Sequence, residues 1–418
     1  MHDFKFKNSE LHCEDVPVSR VARQVGTPFY LYSHHTLTDH FTKIQRAFAE
    51  VNPTICFAMK SNGNLAVLRT LINLGAGVDI VSIGEFKKAL KAGVDPKKIV
   101  FASVGKTEEE IAFALKKNIL FFNVESVHEL ETINAISRKM GKKARAALRI
   151  NPDVEAATHS HITTGTLKNK FGIDLQSTRN ILKQRNKYPH VNICGLHIHI
   201  GSQIVTSAPF ISAIQKVIGF LAELKKDGIR IEYLDIGGGM GIIYKDEQPQ
   251  TAQVFADAIL PFLKQTGLKI VMEPGRFIVG NAGIFVTRVL YLKDNGFKKF
   301  IIVDGGMNDL IRPSLYNAYH EVVPVKQTTA VSEKVDVVGP ICESGDFFAK
   351  ERDIPKVKKG DLLAVMSAGA YGYVMSSNYN VRCRVPEVFV KGSRFAVTKR
   401  RETYTDLMRG ETIPAFLK

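Results

Sequence analysis

The sequence predicts a (β/α)₈ barrel followed by a mostly antiparallel β domain. Three observations lead there. Short apolar runs alternate with helical patterns eight times between residues 54 and 273. The chemically distinctive residues fall at the C-terminal ends of those runs. Beyond about residue 280 the pattern changes to short β-rich runs broken by Gly and Pro, with few helical stretches.

In chain order, residues 1–35 carry β-like runs such as Thr27-Pro28-Phe29-Tyr30-Leu31-Tyr32, and are expected to join the C-terminal β domain. Thr36 to Glu50 reads as an amphipathic helix, with Leu37, Phe41, Ile44 and Phe48 on one face. The strand candidates then follow at 54–59, 78–82, 98–102, 119–124, 144–150, 191–200, 231–236 and 268–273. Helical patterns lie between them: Gly84 to Ala92, Thr107 to Lys117, Ser126 to Met140, Pro209 to Lys226 and Thr251 to Thr266. The stretch 151–190 is looser, with a polar loop around His159 to Asn169. Eight strand–crossover units in this length match a barrel spanning 36–280, and 281–418 forms the β domain. An open doubly wound sheet has the same alternation; the barrel is favoured because Lys60, Arg149, His199, Gly237 to Gly239 and Glu273 all sit at strand ends, the face where barrels assemble their sites.

Composition narrows the function classes. A 418-residue chain, 45% hydrophobic and 23% charged, is that of a two-domain globular protein. It contains no long apolar run, so no transmembrane helix is expected, and the N-terminus lacks an apolar h-region, so a cytoplasmic chain is expected. Five scattered cysteines without a C-x-x-C argue for reduced thiols. The net charge of +16 raises nucleic-acid binding, but the basic residues are dispersed pairs such as Lys87-Lys88 and Lys142-Lys143, and a solvated surface is expected instead.

The chemistry starts from Phe57-Ala58-Met59-Lys60-Ser61-Asn62. A lysine at a strand tip beside apolar residues can be desolvated into a nucleophilic amine, although a lone lysine usually snorkels to water. Asp235-Ile236-Gly237-Gly238-Gly239 and Glu273-Pro274-Gly275-Arg276 follow the seventh and eighth strands, where barrels hold phosphate with backbone amides. Beside them, Glu273 can pair with the ring nitrogen of a phosphopyridine and keep the ring an electron sink. His197-Ile198-His199 puts two imidazoles on one strand face, readable as core histidines or as metal ligands; the metal reading ranks second because few further ligands are evident. In the β domain, Cys342-Glu343-Ser344-Gly345-Asp346, Ala370-Tyr371-Gly372 and Arg312-Pro313-Ser314-Leu315-Tyr316 each have bland structural readings when taken alone.

Together these motifs resemble, across nearly the whole chain, the diaminopimelate decarboxylases, fold-type III pyridoxal-phosphate enzymes related to ornithine decarboxylase and alanine racemase. The resemblance implies a homodimer with shared sites, pyridoxal 5′-phosphate as cofactor and no metal. It implies that Lys60 anchors the cofactor aldehyde, His199 stacks on its ring and Glu273 pairs with its nitrogen. Ser202, Gly237, Gly238, Gly239, Gly275 and Arg276 would hold its phosphate. Arg276, Arg312 and Tyr316 look like the clamp on the distal carboxylate of meso-diaminopimelate, and Tyr371 would contact phosphate and substrate. From the other subunit, Cys342 would donate a proton and Glu343 would meet the distal ammonium. Phe57 and Ser61 depart from the usual Tyr and Ala of the lysine motif, conservatively. The rival readings are a decarboxylase of another diamino acid or of carboxynorspermidine, and a non-catalytic relative.

Overall fold

The computed structural model describes residues 2–154 and 170–417, so the expected polar loop around His159 to Asn169 lies outside the described residues. The chain folds as two compact units, residues 37–279 and residues 1–36 with 280–418.

In the first unit eight parallel strands close into a barrel. They are β1 (Thr54–Ala58), β2 (Gly77–Ile80), β3 (Ile99–Phe101), β4 (Phe121–Val124), β5 (Ala144–Arg149), β6 (Val191–His197), β7 (Tyr233–Asp235) and β8 (Lys269–Met272). Closure is direct: β8 pairs with β1 through Val271 opposite Thr54 and Met272 opposite Ile55. The helices begin where side chains can take up their first amides. Asn64 accepts from Ala66, Ser82 from Glu85, Ser126 from Glu129 and Thr251 from Val254, while Thr107 and Glu110 form a reciprocal capping box. The loose stretch after β5 contains a helix, Leu175–Lys183, capped by Asp174 and buried through Thr178, Ile181 and Leu182.

The barrel interior changes character along its axis. Phe121 and Tyr233, the first residues of β4 and β7, meet edge to face at 5.7 Å and pack with Cys56, Val100, Ala147, Cys194 and Val271. At the opposite strand ends stand Asp79, Asn123, Arg149, His197 and Asp235, all buried. The apolar half supplies the cohesion, roughly 25 cal/mol for each Å² removed from water. The polar half has to satisfy itself by hydrogen bonds or by a ligand.

The second unit holds a three-stranded sheet (Phe4–Lys7, Glu10–Cys13, Val16–Pro17) and a nine-stranded sheet. In the larger sheet Phe29–Ser33 runs antiparallel to Gly283–Asp294 and parallel to Glu387–Lys391. A second parallel pairing joins Lys299–Val303 to Ser332–Val338, and the other pairings of the sheet are antiparallel, so it is mostly antiparallel as the sequence suggests. Its core includes Phe285 between Tyr30 and Phe348, at centroid distances of 5.1 and 5.6 Å. All five cysteines are free thiols, and only Cys342 is exposed. Among the described residues no helix is long and apolar enough to cross a membrane.

Two glycines test this packing with opposite signs. A Cβ on Gly77 would overlap the backbone oxygen of Lys98, which cannot swing away. A Cβ on Gly219, inside the helix Ala208–Lys226, would meet nothing within 4 Å. Denaturant unfolding should therefore show Gly77→Ala destabilised by about 2 kcal/mol or more. Gly219→Ala should be stabilised by about 0.5–1 kcal/mol.

Candidate active site

Lys60 follows β1 in a single 3₁₀ turn, Met59–Ser61. Its ammonium does not meet the apolar surroundings that its sequence neighbours suggest. Lys60 Nζ donates to Asp79 Oδ2 at 2.8 Å, and Asp79 is fully buried on β2. Burial, with the charge of Glu273 next, pushes the Asp79 carboxyl up to about 7, against the pull of Lys60. The lysine is thus paired with an acid that can take up a proton near neutral pH.

Glu273, one residue past β8, is 2% exposed. Asn123 Nδ2 donates to its Oε1 at 3.0 Å and lies 3.3 Å from Asp235 Oδ2. His197 Nε2 stands 3.5 Å from Glu273 Oε2, and neither ring nitrogen of His197 makes a hydrogen bond among the described residues. Burial alone would raise the Glu273 carboxyl, but its interaction with His197 and the charge of Lys60 bring it well below the usual carboxylate range. Burial, then the Glu273 charge, drives Asp235 well above that range. The cluster therefore favours ionisation of Glu273 over that of Asp235. Adjacent acids pushed apart in this way take different roles.

His199 lies two residues beyond the end of β6, not on the strand itself, because β6 stops at His197. Its Nδ1 accepts the Gly238 amide at 3.2 Å. Desolvation, with Lys60 and Arg149 nearby, holds its pKa well below 6.5, so the ring is neutral. Gly237 adopts φ +66, and a Cβ there would lie 2.6 Å from the Ile198 oxygen and 2.7 Å from His199 Nδ1. A Cβ on Gly238 would overlap the backbone oxygen of Glu273. The Gly237 amide is donated to Asp235 Oδ1 at 2.9 Å. Those of Gly239 and Gly275 make no hydrogen bond among the described residues. Arg276, buried, reaches Ser202 Oγ at 3.1 Å through Nη2 and Tyr244 Oη at 2.6 Å through Nη1. The strand ends therefore bring together Lys60, His199, Ser202, Gly237 to Gly239, Glu273, Gly275 and Arg276.

The remaining candidates belong to the other unit and group among themselves. Arg312 and Tyr316 bound a five-residue helix, with the guanidinium 5.9 Å from the ring centre. Cys342 and Glu343 are exposed on a turn pinned by Asp346, whose carboxylate accepts the Ile341 and Met307 amides at 2.6 Å each. Turn and helix touch: a Cβ on Gly345 would lie 3.0 Å from Ser314 Oγ and 3.1 Å from Glu343 Oε1. Tyr371 is held at φ +56, a conformation that bulky residues seldom adopt.

Sequence reasoning passed over Asp79, Asn123 and Tyr244. Asp79 and Asn123 did leave a signal, each a lone polar residue in an otherwise apolar barrel strand, Gly77-Val78-Asp79-Ile80 and Phe121-Phe122-Asn123-Val124. His197, Asp235 and Glu273 also place donor atoms within 4.8 Å of one another, a spacing that suits a cation. The Asn123 amide already donates to both carboxylates, which favours acceptors kept for N–H groups.

The barrel and its lysine–acid constellation define a class, and residues 34–280 match the pyridoxal-binding domain of the pyridoxal-dependent decarboxylases. The diaminopimelate decarboxylase of Aquifex aeolicus is 47% identical over 401 residues, 96% of this chain and 95% of the relative. That of Pseudomonas aeruginosa is 46% identical over 413 residues, 99% of each. The crystal structure of the Helicobacter pylori diaminopimelate decarboxylase complexed with L-lysine superposes with a TM-score of 0.90 at 42% identity, covering 94% of this chain and 98% of that one. The chain belongs to the diaminopimelate decarboxylases, a family of pyridoxal-dependent decarboxylases.

The residues present fit the cofactor. An amine for its aldehyde, an ionised buried acid for its ring nitrogen, and a loop too tight for any Cβ with donors at Gly239 and Gly275 stand on one face of one barrel. The raised Asp79 carboxyl also sets a pH dependence. Its pKa is 3.8 unfolded and about 7 folded, so between those values the folded chain holds more protons. Its contribution to stability is present below pH 4 and lost as pH rises to 7. In cofactor-free protein, wild type should lose stability relative to Asp79→Asn across that window, read as a widening gap in melting temperature. A constant gap from pH 5 to 8 would refute the assignment.

Proposed function

We propose that this chain removes CO₂ from the D-centre of meso-diaminopimelate and releases L-lysine, using pyridoxal 5′-phosphate, as a cytoplasmic homodimer. The observation that carries the chemistry is the buried Glu273 carboxylate, which takes the Asn123 amide and has His197 at 3.5 Å, and is held well below the usual carboxylate range while its neighbour Asp235 is raised above it. When bound, pyridoxal phosphate supplies a protonated pyridine ring that accepts the electron pair left by departing CO₂.

Lys60 Nζ would hold the cofactor aldehyde, and Asp79 Oδ2, 2.8 Å from that amine, is placed to take a proton from it. The Glu273 carboxylate holds the proton on the ring nitrogen, and Asn123 keeps it oriented through Oε1. A neutral His199 lies against the ring without adding a charge that would compete with it. The amides of Gly239 and Gly275, the Ser202 hydroxyl and the backbone of Arg276 bind the phosphate dianion. The loop closed by Gly237 and Gly238 fixes that position.

Substrate choice rests on the far amino-acid head. Arg276, Arg312 and Tyr316 grip its carboxylate, and Tyr371 contacts phosphate and substrate. A buried guanidinium deprived of its anion penalises analogues that lack the carboxylate. Cys342 and Glu343 would come from the second subunit, the thiol, or Lys60 in its place, to supply the proton that replaces CO₂ and the acid to meet the distal ammonium. Their exposure on a rigid turn supports this reading.

The direct test is CO₂ release from meso-diaminopimelate, ornithine and carboxynorspermidine, each with and without added pyridoxal phosphate. Turnover should be confined to the first and should require the cofactor. Lys60→Ala should lose both turnover and the visible absorbance of bound cofactor; a surviving band would remove Lys60 from the scheme. An equimolar mixture of Lys60→Ala and Cys342→Ala chains should recover about a quarter of wild-type sites after subunit exchange, since half the dimers then carry one intact site. No recovery, with exchange demonstrated by mass, places the cysteine in its own subunit's site.

A further inference from the structure

The second unit contains a buried histidine that none of the roles above uses. His320 is fully buried, between the helix Arg312–Tyr316 and the strand Val322–Pro324. Its Nδ1 lies 2.8 Å from the Met366 carbonyl oxygen, and its Nε2 lies 3.2 Å from Arg312 Nε. These two contacts fix the proton. A carbonyl oxygen only accepts, so Nδ1 carries the hydrogen; a guanidinium only donates, so Nε2 offers its lone pair. The ring is therefore the neutral Nδ1–H form, the less common tautomer of an imidazole in water.

The ring has little freedom to turn. Arg352 Nη1 donates to the His320 carbonyl oxygen at 3.0 Å, and Arg352 itself lies 3.8 Å from the Tyr319 ring centre. The Met366 amide donates to the Glu321 oxygen at 2.8 Å, so the carbonyl that holds Nδ1 is tied to the residue after His320. We propose that His320 is a positioning residue for Arg312: by accepting Nε–H from a ring locked at its other nitrogen, it fixes the plane of the guanidinium and directs its Nη edge to the carboxylate. An arginine recognises a carboxylate as a planar fork, so the orientation of that plane decides whether one or two hydrogen bonds form. With Nε already donated, a carboxylate is met from the Nη edge alone. This rests on the reading of Arg312 as the clamp for the distal carboxylate.

Two measurements test it. The first needs no substrate. In holoenzyme labelled with ¹⁵N-histidine at pH 7.5, the His320 resonances, assigned by their loss in His320→Gln, should report a protonated Nδ1 and an unprotonated Nε2. The Nε2 shift should move in Arg312→Lys, which has no Nε–H. An Nε2–H tautomer, or no movement, overturns the proposal.

The second compares inhibition by L-lysine and by 1,5-diaminopentane, which differ only in the distal carboxylate. Wild type should favour L-lysine. His320→Phe should reduce that preference about 10- to 100-fold and raise KM for meso-diaminopimelate with a smaller change in kcat. His320→Gln, which keeps an acceptor for Nε–H, should restore most of it. An unchanged preference in His320→Phe beside a collapsed one in Arg312→Ala overturns the positioning role alone. A preference unchanged in Arg312→Ala shows instead that the clamp reading has failed.

Discussion

A carboxylate buried beside two other carboxylates should by default be protonated, because desolvation and like charge both disfavour its ionised form. In this protein Asp79 and Asp235 follow that rule, and Glu273 does not. The difference lies in what each one faces. Glu273 has His197 at 3.5 Å besides the Asn123 amide it shares with Asp235, whereas Asp235 stands next to Glu273 with little cationic relief and at Asp79 burial outweighs the pull of Lys60. One site in the cluster is thus reserved for negative charge. A ring nitrogen beside it keeps its proton, and with it the capacity to accept an electron pair. Lose that asymmetry and the amine at the other side of the barrel would hold an inert aldehyde.

The barrel makes the asymmetry affordable by separating two tasks along its axis. Phe121, Tyr233, Val100 and Val271 fill one part of the interior without polar atoms to satisfy, apart from the tyrosine hydroxyl. The polar residues then arrive together, near the ends of their strands, so each finds partners across the barrel instead of within its own strand. Asn123 on β4 reaches Asp235 on β7 and Glu273 beyond β8, a network that exists only when the barrel is closed. Closure and chemistry therefore depend on each other. A register slip in any one strand would turn its polar end residue away from the cluster and leave its partners buried without donors.

Period-two and period-3.6 patterns made the barrel legible, since strands buried on both faces are apolar runs that stand out against amphipathic helices. The same logic explains the failures. The helix Leu175–Lys183 is nine residues long and follows a long polar stretch in which its Gly172 and Asp174 start signals do not stand out, and the strand Phe347–Pro355 carries Lys350, Glu351, Arg352 and Asp353 in its middle, which hides its period. Of the site, Lys60, Glu273 and the glycine loop were legible because strand-end position and residue type agree. Asp79 was not, because a single acid in a four-residue strand reads as noise until closure sets it against Lys60. His199 was legible by identity but not by place: alternation assigns it to the strand, whereas β6 ends at His197 and the chain turns so that His199 meets the Gly238 amide. Arg312 and Cys342 could be found only through the resemblance, since neither lies in a pattern that physical reasoning alone distinguishes from packing.

The barrel groups explain why CO₂ leaves but not why one substrate is chosen. In the roles proposed for them, Lys60, Glu273 and the glycine loop would act on features that every α-amino acid shares once it is joined to the cofactor. Discrimination needs groups that respond to the opposite end of the molecule. Attraction alone is a weak criterion there, because an exposed cation in water loses little when its anion is absent. A buried guanidinium is different: with Arg312 5% exposed and one of its nitrogens donated to a histidine held at both ring nitrogens, water would compensate poorly for a missing carboxylate if Arg312 is the proposed clamp. Rejection of shorter or singly charged analogues would then follow from rigidity more than from charge. Between a clamp that is merely cationic and one that is cationic, buried and oriented, only the second converts the loss of a carboxylate into a loss of binding that solvent cannot make good.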